Sequence, residues 1–147
     1  MIQRIQSLYL LLAAAAGTAA LSFNLWKATL SSNPNPVTVN ASSNYLLFVL
    51  YIIIILLSIG TIFLYKKRKV QFRLSIFNIL FAFAALAYQY VVVQKTANKL
   101  TEGGTTIVSA SYLPASFLPI VIIILLFLAA RGMYKDEKLI KSLDRLR

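Results

Sequence analysis

Four carboxylates are all the acid chemistry this chain offers: Glu102, Asp136, Glu137 and Asp144. General acid–base work needs a carboxylate set against a second carboxylate or a histidine. Three of the four acids sit between basic residues near the C-terminus, and histidine is absent. Cysteine is absent as well, so no Cys/His metal site and no disulfide framework can be built. Neither GxSxG, a Walker A motif nor HExxH occurs. The glycine pair in "TEGGTT" at 101–106 lacks a following nucleotide-binding helix and reads as a turn. The residues therefore point away from an enzyme, and they imply no cofactor and no metal.

The elements that hold these residues are membrane spans. The chain has 147 residues, of which 59% are hydrophobic and 13% charged. A soluble domain carries about 25% charged residues. A span needs about 20 mostly apolar residues. Four segments qualify: 5–25, 45–65, 74–93 and 113–130, followed by a tail at 131–147. The expected fold is a single all-α domain, a four-transmembrane-helix bundle with a short amphipathic C-terminal helix. The opening segment also fits a secretory signal peptide, with Arg4, an apolar run and small residues after it. Its apolar run continues through Leu21, Phe23, Leu25 and Trp26, which favours an uncleaved span anchored by Trp26 and Lys27.

The net charge of +11 is distributed as a topology signal rather than as a nucleic-acid patch. Arg4, the five basic residues of 66–73 and the six of the tail fall on one side, 12 in all. Lys27, Lys95 and Lys99, 3 in all, fall on the other. The positive-inside rule places both termini and the middle loop in the cytoplasm. "KKRK" (Lys66, Lys67, Arg68, Lys69), with Arg73, serves as that signal and is also placed to hold anionic lipid headgroups.

No ionisable residue falls inside a span. Asn78 is the deepest strong hydrogen-bonding group, and its amide needs a partner in hydrocarbon. Interhelical bonding is the plain reading, and a substrate contact near Asn78 and Gln89 is the alternative. Ala13 and Gly17, and Ala16 and Ala20, make small-xxx-small faces. These serve either packing within the bundle or docking of another subunit. In the tail, Leu139, Ile140, Leu143 and Leu146 form one stripe, with Gly132 as a hinge before it. That stripe can pack on the bundle base, lie in the lipid interface or bind a partner. Residues 36–40 and 105–111 are rich in β-branched residues, lie on the same side of the membrane and can either pair as a small external sheet or remain loops. The last span is expected to start near Leu113 and to bend at Pro119.

The two ends, "MIQRIQSLYLLLAA" at 1–14 and "KDEKLIKSLDRLR" at 135–147, resemble the terminal signatures of a Bacteroidota family of small four-span inner-membrane proteins of unknown function. The resemblance implies a bacterial inner-membrane location and supplies no activity or site residues. The expected function is that of a non-enzymatic structural or accessory subunit of an envelope complex, contacting membrane lipids and a protein partner. The alternative is a carrier or channel-like protein for a small or lipidic molecule.

Overall fold

A computed structural model describes residues 2–31, 33–65, 67–104 and 106–144 of the chain. Of the positions singled out above, Lys66, Thr105, Arg145, Leu146 and Arg147 lie outside the described residues. So do the side chains of Arg4, Arg68, Lys141, Leu143 and Asp144.

Long runs of Leu, Ile, Ala and Phe, with no more than single glycines in their interiors, give four helices. They are α1 (Ile2–Ser22), α2 (Tyr45–Phe63), α3 (Arg68–Glu102) and α4 (Leu118–Asp144). All four are long and apolar enough to cross a membrane. Asn44 caps α2, its side-chain oxygen accepting from the Leu47 amide at 3.4 Å. Each helix packs on its neighbours in sequence, and α1 packs on α4, so the bundle closes as a ring. The core holds Leu10, Leu47, Tyr51, Ile54, Ile122 and Leu126, all fully buried. Leu11, Leu56, Leu80 and Phe127 lie exposed on the outer surface.

The chain is mostly rather than purely helical. Three strands, β1 (Asn24–Leu30), β2 (Asn33–Asn40) and β3 (Ile107–Tyr112), form an antiparallel sheet in the order β2-β1-β3. The sheet sits at the end of the bundle where α1 and α3 finish. The opposite end carries the α2–α3 turn with Lys67 and Lys69, and is called here the basic end.

Several expectations need correction. The first helix ends at Ser22, and Leu25 and Trp26 belong to β1. Trp26 and Ala28 are buried with Val39, Val92 and Val93, so a partner on α3 decides for strand where apolarity alone does not. Residues 36–40 and 107–112 share a sheet but do not pair, because β1 lies between them. The third helix has 35 residues, well beyond 74–93, because the flanking Lys, Arg, Gln and Ala are themselves helix formers. A 3-10 turn at Pro114–Phe117 precedes α4, which starts at Leu118. Pro119 thus falls in the first turn, where its missing N–H is tolerated, and the expected early start with an interior proline is not observed. The tail is not a separate short helix either. α4 runs unbroken through Gly132 to Asp144, and Gly132 is no hinge.

Candidate functional site

The inner seam of α3 is the most unusual feature of the bundle. Gln71, Ser75, Asn78, Ala82, Ala85 and Gln89 recur at intervals of four and three, which places them on one helical stripe. All six are buried, and none is a large apolar residue. In lipid, apolar side chains gain little by leaving lipid for one another, so close packing and hydrogen bonds hold helices together. The seam supplies both. Small residues sit at its centre and amides towards its ends.

At the sheet end, Gln89 joins three elements. The Tyr51 hydroxyl of α2 donates to Gln89 Oε1 at 2.9 Å, and Gln89 Nε2 donates to the Ser116 carbonyl at 3.1 Å. The Ser116 hydroxyl donates in turn to the Leu25 carbonyl of β1. That carbonyl also accepts from the Leu113 amide at 2.9 Å. A continuous chain of polar groups therefore ties α2, α3, the 3-10 turn and β1.

At mid-bundle, Asn78 Nδ2 donates to Ser58 Oγ at 2.8 Å and to the Ile54 carbonyl at 3.3 Å. Its Oδ1 is buried and has no partner among the described residues. Asn78 thus cross-links α3 to α2.

At the basic end, Gln71 Nε2 donates to the Thr61 carbonyl at 3.2 Å, and Ser75 Oγ to Met133 Sδ at 3.5 Å. Gln6 Nε2 of α1 donates to Asp136 Oδ2 of α4 at 2.7 Å, both residues being buried. Gly132 makes room for this pair. A Cβ on it would lie 3.0 Å from Gln6 Cγ. The inward face of the α4 extension therefore carries Gly132, Met133 and Asp136, whereas Leu139 and Ile140 are exposed. Of the three roles open to the tail stripe, packing on the bundle base does not apply to these two residues.

The other predicted positions disperse. Ala13 is fully buried, and Gly17 faces α2, where an added Cβ would lie 2.9 Å from Ile55 Cγ1. The small-residue face is thus spent within the bundle at Gly17. Lys67, Lys69 and Arg73 cluster about the start of α3, far along that helix from Gln89. Asn78 and Gln89 do not line the described cavity. The described cavity is an apolar groove of about 520 Å³ at the sheet end, lined by Ala19, Phe23, Asn24, Leu113, Pro114, Ala115 and Leu118.

The arrangement links the helices to one another and to the sheet. Among the described residues, one carboxylate is buried, its bound neighbour is an amide, and no group of three His, Cys, Asp or Glu side chains gathers. Sequence reasoning does not single out Gln6, Gln71 and Ser75, and it gives Ser116 and Asp136 no part in linking the helices. The regular spacing of polar and small residues from Gln71 to Gln89 was the available signal, masked by the apolar residues between them.

A family model described as a domain of unknown function, DUF4293, matches residues 2–146. The chain belongs to this family. No curated protein and no solved structure matches it. In this DUF4293 chain the match spans all four helices and the sheet, so the polar seam and the sheet fall within one family unit.

Proposed function

We propose that this protein is a non-enzymatic, four-span subunit of a bacterial inner-membrane assembly, with both termini cytoplasmic and the sheet on the external side. One observation carries the reading: the interior polar groups of α3 are engaged with the neighbouring helices, from Gln71 to Gln89. A bundle so cross-linked is a rigid mount. The orientation rests on the 12-to-3 division of Lys and Arg. The resemblance of the two termini supports a Bacteroidota inner-membrane setting. The exposed Leu139 and Ile140, with the basic residues around them, suit contact with anionic lipid or with a cytoplasmic partner.

The test is extraction from native membranes in mild detergent, followed by sizing and identification of the bound chains. A stoichiometric heteromeric assembly is expected. A lone bundle carrying a tightly held lipid would instead favour the second reading, a carrier for a lipidic molecule. The observation on that side is the 520 Å³ apolar groove beside Ala19 and Ala115.

A further inference from the structure

The two edges of the sheet are not equivalent. β2 carries Pro34 and Pro36, which withhold N–H donors and blunt that edge. β3, with the sequence IVSASY, has neither proline nor charge. Among the described residues it pairs only with β1.

The register tells which of its groups are free. The Leu113 amide bonds to the Leu25 carbonyl, and the ladder continues with Lys27 opposite Ser111 and Thr29 opposite Ser109. Antiparallel pairs alternate between bonded and non-bonded, so the odd-numbered residues of β3 turn their amides to β1. Ala110 and Tyr112 then present N–H and C=O to the open edge. Both lie opposite buried residues, Ala28 and Trp26, and so belong to the core face of the sheet. Yet both are exposed, with Tyr112 at 47%. β3 therefore leaves its edge open and its apolar face uncovered at Ala110 and Tyr112, while Ile107 packs on the Trp26 cluster.

Two copies of this chain in one membrane cannot satisfy that edge with each other. β1 starts at Asn24, just after α1 ends within the bundle, and finishes at Leu30, opposite Ile107, just after the turn that ends the α3 extension, so the strands run along the bundle axis. Antiparallel pairing of β3 with β3 would invert one copy in the membrane. Parallel pairing about a two-fold axis would set Ala110 level with Ala110. A parallel ladder instead needs a stagger of one residue, because each outward residue bonds between two of its partner's.

Resting on the proposed docking role, we propose that β3 is a strand-addition site for an extended segment of a different protein on the sheet side. The segment alternates apolar residues, which cover Ala110 and Tyr112, with acidic or neutral ones. The acidic preference follows from Lys27, which stands opposite Ser111 and is exposed on the sheet face turned away from α3, the face that the alternate residues of the added strand would share. Main-chain bonds supply the affinity and alternate side chains the selectivity.

Hydrogen–deuterium exchange of peptides covering 107–112 tests the site, comparing native membranes with the chain purified and reconstituted alone. Exchange at Ala110 and Tyr112 is expected to be at least about tenfold slower in native membranes. Equal exchange in both, with the chain still in a larger assembly, overturns the edge site and leaves the docking role standing. A chain that is alone in native membranes ends both. Ala110→Pro removes an outward N–H while sparing the β1 ladder, and Ala110→Lys keeps the backbone but charges the edge. Each should release the chain from its assembly with its own melting unchanged. Retention of both variants in the assembly would overturn the proposal. The chain has no cysteine, so Ala110→Cys introduces its sole thiol. A disulfide-linked pair of chains from that variant would make the occupant a second copy and refute the geometric argument.

Discussion

Gln89→Leu removes the one side chain that bonds both to Tyr51 and to Ser116. Leucine fits the same volume, so packing is nearly conserved and the loss is polar. It leaves the Tyr51 hydroxyl, on a fully buried residue, and the Ser116 carbonyl without their present partner. An orphaned buried polar group costs about 1–3 kcal/mol. Bonds within membrane proteins average nearer 0.6 kcal/mol, with a maximum of about 1.7. Two groups together then set an expected loss of about 2–3 kcal/mol, or a fall in Tm of roughly 4–12 °C for a chain of this size. Tyr51→Phe in the same background removes one orphan. The double variant should therefore recover about 1 kcal/mol relative to Gln89→Leu alone, a coupling that a double-mutant cycle reads directly. Thermal or denaturing-detergent unfolding in mixed micelles measures all three. A Gln89→Leu loss under about 0.5 kcal/mol, or a double variant with additive losses, would mean that the seam is not held by this network.

Gly17→Ala sets a Cβ 2.9 Å from Ile55 Cγ1 and should destabilise the bundle by about 1–3 kcal/mol, and because Ile55→Ala removes that atom, the double variant should lose less than the sum of the two single losses in the same unfolding assay. Gly132→Ala meets the more pliant Gln6 side chain at 3.0 Å, so a smaller loss of about 1 kcal/mol is expected, and it should not add to that of Gln6→Ala, since both break the bond to Asp136. Pro119→Ala interrupts no interior helical bond but removes ring carbons from a fully buried side chain, so a packing loss of about 1–2 kcal/mol is expected, and a larger one would mean that the residue sets the start of α4. Neutralising Lys66, Lys67, Arg68 and Lys69 together should give mixed orientation of a reporter fused after Arg147, and an unchanged single orientation would show that the tail charges suffice.

How much the sequence discloses depends on which force decides each boundary. The second helix is legible almost to the residue, 45–65 against Tyr45–Phe63, because its apolar run stops sharply at a basic cluster. The third was legible only where it is apolar. Hydropathy marks the stretch suited to lipid, whereas helix propensity carries the backbone on through Lys95–Glu102. The end of the first was not legible. Leu25 and Trp26 suit a helix in lipid as well as a strand, and the choice rests on Val92 and Val93, more than sixty positions away. The two β-rich segments were visible, but their common partner was hidden inside a supposed span. Pro119 is interior to a helix only if that helix starts near Leu113, and the 3-10 turn at Pro114–Phe117 moves the start of α4 five residues along, to Leu118.

The length of α3 explains why a helical bundle has a sheet at all. From Gln89, the last polar link to the 3-10 turn, the helix continues 13 residues to Glu102, about 20 Å at 1.5 Å each. α1 has already ended at Ser22, so this extension lacks helical neighbours at that level. Its inward face is Val92, Val93, Ala97 and Leu100, which would otherwise stand uncovered. A strand of seven residues, such as β1, reaches about 23 Å at 3.3 Å each and matches the extension. Trp26, Ala28 and Val39 cover the face that the helix leaves open. The same helix thus carries the polar seam within the bundle and the apolar support beyond it. A load on β3 reaches the bundle by two routes: through Trp26 to the extension, and through Leu25 to Ser116 and Gln89. Weakening the second route with Gln89→Leu should therefore raise amide exchange in β1 as well as in the helices. If β1 exchange stays unchanged while the bundle loosens, the sheet is held by the α3 extension alone.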